Sequence, residues 1–200
     1  VDGSFKSPIF KGKLNVNDPN LFMDFKGLID MSKKEKVYQF DTQIDYANLK
    51  KLNLVKSDSI SIFKGKIFSN LIGNNINTMY GDLKIEQSSY QNGRDIFVFD
   101  NFTITSNFDS SNQRLITINS PDIIDGKIEG KFDFEEVPKL VENSLGSIYA
   151  HFNYNKVKKG QYLRFDFSVY NKIIEIFYPE ISLSSDTKIN GSINADTNDF

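Results

Sequence analysis

Apolar and polar residues alternate with period two over most of the chain. That spacing puts successive apolar side chains on one side of an extended backbone, and it predicts half-buried strands. Residues 10–16 place Phe10, Gly12, Leu14 and Val16 together, and residues 21–31 do the same with Leu21, Met23, Phe25, Gly27, Ile29 and Met31. Residues 37–46 align Tyr38, Phe40, Thr42, Ile44 and Tyr46. Around 61–69, Phe63, Gly65 and Ile67 align, while Ile60, Ile62 and Phe68 fall out of phase and predict a bulge. Gly81, Leu83 and Ile85 mark another strand, with more expected at 96–105, 113–119, 124–134, 162–170, 172–178 and 187–193. Pro19 fixes the turn at 17–20, and Asn92-Gly93 suits a type I′ hairpin. The reading is a meander of ten to twelve antiparallel strands joined by short polar turns.

Residues 135–152 break this rhythm. Val137, Leu140, Val141, Leu145, Ile148, Tyr149 and Phe152 recur at helical spacing and form one stripe. Glu135 and Glu136 suit a helix start, and Pro138 is tolerated in a first turn. Such a helix either caps a β-core, or plugs or gates a cavity or touches a membrane surface.

The glycines keep a rule. Gly12, Gly27, Gly65, Gly81, Gly126, Gly130 and Gly191 each precede, by two places, an apolar residue on the same face: Leu14, Ile29, Ile67, Leu83, Ile128, Phe132 and Ile193. A glycine on the inner face of a curved sheet removes a side chain where crowding is greatest and lets the strand bend. The predicted fold is therefore all-β: a curled meander whose apolar face forms an elongated groove, with one short amphipathic helix. One helix cannot cover so long a sheet, and a large uncovered apolar face marks a ligand, membrane or partner surface. The expected lining is Leu14, Val16, Phe25, Ile29, Phe40, Ile44, Ile67, Leu83, Ile85, Ile128, Phe132, Phe134, Phe165, Phe167 and Ile193.

Composition narrows the chemistry. The net charge of −2 with interspersed signs offers no basic stripe for nucleic acid. No run approaches the length of a membrane-spanning helix. Without cysteine there are no disulfides or thiolate metal sites, and the single histidine, His151, permits no histidine metal cluster. The carboxylates mostly occupy the polar strand faces, where solvation is their ordinary role. Asp122 and Asp125 read as turn residues rather than calcium ligands. No cofactor, metal or catalytic residue is expected. A glycosidase-like carboxylate pair is the enzymatic alternative.

Five stretches resemble one family: residues 14–32, 37–54, 79–90, 116–152 and 174–193. Their strand patterns, an "ADL"-like element at 46–54 with Asn48 where Asp is usual, and an "SD-x-x-D-G-x-I-x-G"-like element at 120–130 are similar to the repeat region of the TamB family of AsmA-like envelope proteins. The resemblance spans nearly the whole chain. It implies one section, residues 1–200, of a longer periplasmic β-groove that carries phospholipid between the inner and outer membranes. It also implies an N-terminal inner-membrane anchor and an outer-membrane barrel partner of the BamA family. Both ends read as cut from something longer, with anchor and docking element outside this stretch. The second expectation is a scaffold that assists outer-membrane protein assembly by strand pairing.

Overall fold

The computed structural model describes residues 2–55, 60–146, 155–170, 184 and 186–197. Eleven strands form one antiparallel sheet in strict chain order. They are β1 (Asp2–Lys6), β2 (Ile9–Asp18), β3 (Leu21–Asp30), β4 (Val37–Asn48), β5 (Ser61–Ile72), β6 (Tyr80–Asn92), β7 (Asp95–Phe108), β8 (Arg114–Ser120), β9 (Ile124–Lys131), β10 (Tyr162–Val169) and β11 (Thr187–Asn194). One helix, α1 (Val137–Gly146), lies between β9 and β10 in the chain. Among the described residues β1 and β11 are unjoined edges, so the curled sheet is open. The expected strand at 172–178, residues 147–152 of the expected helix, His151, and the side chain of Leu145 lie outside the described residues.

The register puts the predicted apolar positions on one face. A single cross-strand row runs Gly3, Gly12, Gly27, Phe40, Ser69, Leu83, Ile104, Ile118, Gly126, Phe167, Ile189, touching all eleven strands. The opposite face carries charge: Lys26 is opposite Asp41, Lys66 opposite Glu86, and Arg164 opposite Glu129. Of these, Arg164 and Glu129 form an ion pair at 3.5 Å, which adds little stability on a solvated face.

The bulge lies in the neighbours of β5, not in β5. The β4 register shifts against both β3 and β5 around Asp45 and Tyr46, and β6 carries an extra residue at Gln87, where φ is +48°. Beyond the β4 bulge the faces exchange. Tyr46, expected on the apolar side, stacks edge-on with Phe22 on the other face, and Ala47 turns inward to 3 % exposure. The β6–β7 turn also differs by one residue: Asn92 pairs with Asp95, leaving Gly93-Arg94 as the loop, with Gly93 at φ +62°.

Strand β9 stops at Lys131, three residues before its alternation does. Side chains capture the next backbone donors: Gln161 Oε1 accepts from Asp133 N at 2.7 Å, and Asn77 Oδ1 accepts from Phe134 N at 2.8 Å. With those N–H groups satisfied, the chain turns and α1 begins at Val137. Glu135 and Glu136 thus precede the helix rather than fill its first turn. The Glu136 carbonyl accepts from Leu140 N at 2.9 Å, and its carboxylate accepts from Lys139 Nζ and Lys158 N, both at 3.0 Å.

Candidate functional site

The apolar face differs between its two ends. Over β2–β5 it is led by an aromatic ladder: Phe10 and Phe25 have ring centroids 5.8 Å apart, and Phe25 and Phe40 5.1 Å. Leu14, Val16, Ile29, Ile44 and Ile67 extend it, all half-buried. No described helix or loop cluster packs over them. Over β8–β11 the same face is filled. Leu140 of α1, 1 % exposed, sits in a cluster with Ile116, Phe132, Leu163 and Ile193, and Ile128, Phe134 and Phe165 pack around it. Between these regions Leu83 and Ile85 line β6, and a second cluster of Tyr90, Phe99 and Ile123 closes the bulged end of β6–β7.

The glycines make close approaches possible. At Gly130, φ +147°, a Cβ would overlap the Tyr162 carbonyl of the next strand, and at Gly81, φ +115°, it would overlap that of Asn70. The neighbouring strand also fills the space that glycine leaves. The Phe167 ring lies where a side chain of Gly126 would go, and the Phe165 ring sits over Gly191. Glycine on the apolar side therefore marks strand–strand contact through aromatic rings, in addition to the bending that its spacing suggested. Gly12 faces Gly27, and Gly65 faces Ile44, on this same side.

Sequence reasoning passed over Arg114, which is in phase with Ile116 and Ile118 and so points into the apolar face. It is 5 % exposed. Its Nε donates to Ser106 Oγ at 2.9 Å, Nη1 to Ile76 O at 2.7 Å and Nη2 to Met79 O at 2.6 Å. The guanidinium carbon lies 5.2 Å from the Phe108 ring centroid and 4.8 Å from that of Phe134. Burial pushes its pKa below the ordinary value, yet arginine stays charged in proteins. A cation buried without a carboxylate needs such a set of neutral acceptors and ring faces. It ties the β5–β6 loop, the β7–β8 hairpin and the turn into α1 together. The signal for it in the sequence was a cation where the alternation calls for an apolar residue.

Hydroxyls also interrupt the face. Ser69 Oγ donates to Tyr38 O and Ser61 Oγ lies 3.0 Å from Tyr90 Oη, whereas Thr42 Oγ1 and Ser120 Oγ have no protein partner. The concavities between β9, β10 and β11, about 470 and 520 Å³, open mainly between the polar side chains Lys127, Glu129, Arg164, Asp166, Asn190 and Ser192. Among the described residues no three histidines or carboxylates gather into a metal site. The shifted carboxylates have structural causes. Hydrogen bonds from Ser32 lower Asp30, the Gln113 backbone N–H lowers Asp109, and the Lys139 side chain lowers Glu136. No protein-family model matches the chain, and no curated protein or solved structure matches it either.

Proposed function

We propose that this chain is one section of a TamB-like periplasmic trough that carries phospholipid between membranes, and that it does so without catalysis. The observation that carries the reading is the apolar row across all eleven strands, with neither buried cluster drawing on β1–β4. Phe10, Phe25 and Phe40 give acyl chains a wall of hydrocarbon, and the lysines and carboxylates of the other face stay in water. Eleven strands at about 4.8 Å spacing make a wall about 50 Å long, enough for a lipid but one part of a longer path. In this reading the inner-membrane anchor and the outer-membrane barrel partner belong to other parts of the protein.

Native mass spectrometry of the purified chain tests this. The expected spectrum contains bound phospholipid, which is lost in Phe25→Asp and Phe40→Asp because a carboxylate against hydrocarbon is costly. A parent that carries no lipid from membrane extracts or from vesicles refutes the proposal. The unjoined edges β1 and β11 favour a second reading, a scaffold that pairs with nascent strands. That reading predicts capture of extended peptides at the edges, unaffected by Phe25→Asp.

A further inference from the structure

The apolar face is continuous, but it is not equally available. Leu140 of helix α1 packs on strands β8–β11, whereas neither buried cluster draws on the aromatic ladder Phe10–Phe25–Phe40, in which Phe25 is 9 % exposed between half-buried Phe10 and Phe40. A helix that served only to shield the core from water belongs over that ladder. Leu140 instead lies on Ile116, Leu163 and Ile193, positions that continue the trough toward β11. We infer that α1 is a built-in stop: it occupies the acyl-binding surface of the last four strands and confines lipid in this section to β1–β7. The inference rests on the lipid-carrying reading above and adds where in the section the lipid sits. Two hydrocarbon groups cannot fill one surface, so Leu140 and an acyl chain exclude each other there.

Polar clasps at both ends of the helix hold the stop. At its entry, Phe134 is stacked on Arg114, and its N–H is taken by Asn77 of the β5–β6 loop. At its exit, Asn143 Nδ2 donates to Asn155 O at 2.9 Å and Asn143 Oδ1 accepts from Asn155 N at 2.7 Å. Asn155 Nδ2 also reaches Glu142 at 2.7 Å. The described helix has ten residues, too few to hold its shape alone in water, so docking sustains it. Released from these clasps, it stops covering the face.

The test is photo-crosslinking of the whole chain with phosphatidylcholine that carries a diazirine on its acyl chain, with labelled residues mapped by mass spectrometry. In the parent, Phe10, Phe40 and Ile67 are expected to take about tenfold more label than Ile116, Ile128 and Leu163, a ratio no larger than one buried leucine sustains. In Leu140→Ser, and in the gentler Asn143→Ala, label is expected to spread to the latter three. A thermal melt of each variant shows that the sheet is still folded. Equal labelling of both ends in the parent overturns the inference. So does the absence of new label at β8–β11 in folded Asn143→Ala and Leu140→Ser. No label anywhere in the parent refutes the lipid trough itself, and the stop falls with it.

Discussion

Replacing Arg114 by methionine tests the node where three loops meet. Methionine keeps much of the volume and the unbranched stem but loses five N–H donors and the charge. Three hydrogen bonds from the guanidinium, to Ser106, Ile76 and Met79, disappear. At about 1.5–3 kcal/mol for each bond to a charged group, the gross loss is about 5–9 kcal/mol. Two ring contacts add about 1–2 kcal/mol to that. Against this, the variant no longer buries a cation, a penalty of several kcal/mol. The net expectation is a destabilisation of about 2–4 kcal/mol, dominated by the Ile76 carbonyl left without its donor, since Ser106 Oγ still donates to Met79 O at 3.1 Å. Arg114→Lys retains the charge but cannot serve all three acceptors from one nitrogen, so a loss of similar size is expected from the lysine variant. Urea titration followed by circular dichroism reads both, with an unchanged slope showing that the same surface unfolds. If Arg114→Met loses less than about 1 kcal/mol, relief of desolvation has cancelled the hydrogen bonds and the node does not hold the loops.

Leu140→Ala should cost about 2–5 kcal/mol because the side chain is 1 % exposed, while Val141→Ala, a member of the expected stripe that the fold instead leaves 38 % exposed, should stay within about 0.5 kcal/mol; equal losses in denaturant titrations would mean that Leu140 is not the helix's packing anchor. Gly130→Ala forces a Cβ into the Tyr162 carbonyl at a positive φ, and a loss of about 1–3 kcal/mol is expected by thermal melting; an alanine variant as stable as the parent would refute the close approach between β9 and β10. Glu136 is held below the ordinary glutamate range, chiefly by the hydrogen bond from Lys139, so the unfolded chain takes up this proton first as pH falls. Its contribution is complete above the unfolded value and is lost as pH drops through the lower folded value, so amide exchange at 137–146 should accelerate, relative to its intrinsic rate, as pH falls through the carboxylate range. In Glu136→Gln that acceleration should be reduced, and an undiminished one would assign the acid response to another group.

The strands were legible because alternation is a direct consequence of backbone geometry. Phe25, Phe40, Ile67, Ile128 and Phe165 fell on one face by counting in twos, and the register agrees. The sheet order was legible for a related reason up to β9, where most turns are short, but the connections at 132–161 and 170–186 are long enough for a crossover, and there only the register shows antiparallel neighbours. The misplaced residues lie where alternation changes phase. Tyr46 follows a bulge in its own strand, but the out-of-phase isoleucines of β5 drew attention to the wrong strand. Ile62 and Phe68 are half-buried outward positions and Ile60, just before β5, is exposed, and nothing in residues 60–68 announces that β4 and β6 bend around them. Phe132 and Phe134 continue the period of β9 after its hydrogen bonding has ended, because Gln161 and Asn77 compete for the backbone from 28 and 57 residues away. Contacts over that separation leave no local trace. The uneven cover of the apolar face was equally hidden: the helix could be read from its stripe, but the strands beneath it could not.

The strict chain order of the sheet also bears on how the molecule answers mechanical load. The first and last described strands are the two outermost ones, so tension on the chain ends pulls across the strands, along the direction of their hydrogen bonds. In that geometry the bonds of only the terminal strand bear the force at any moment, and they open one after another. The sheet should lengthen in steps, each strand releasing about 3.3–3.6 Å per residue as it leaves. Extension would stall where α1 joins β11 to its neighbours through Leu140 and Ile193, since a cluster that spans several strands must yield as one. Pulled from both ends, the molecule should therefore unzip readily from β1 and resist from β11.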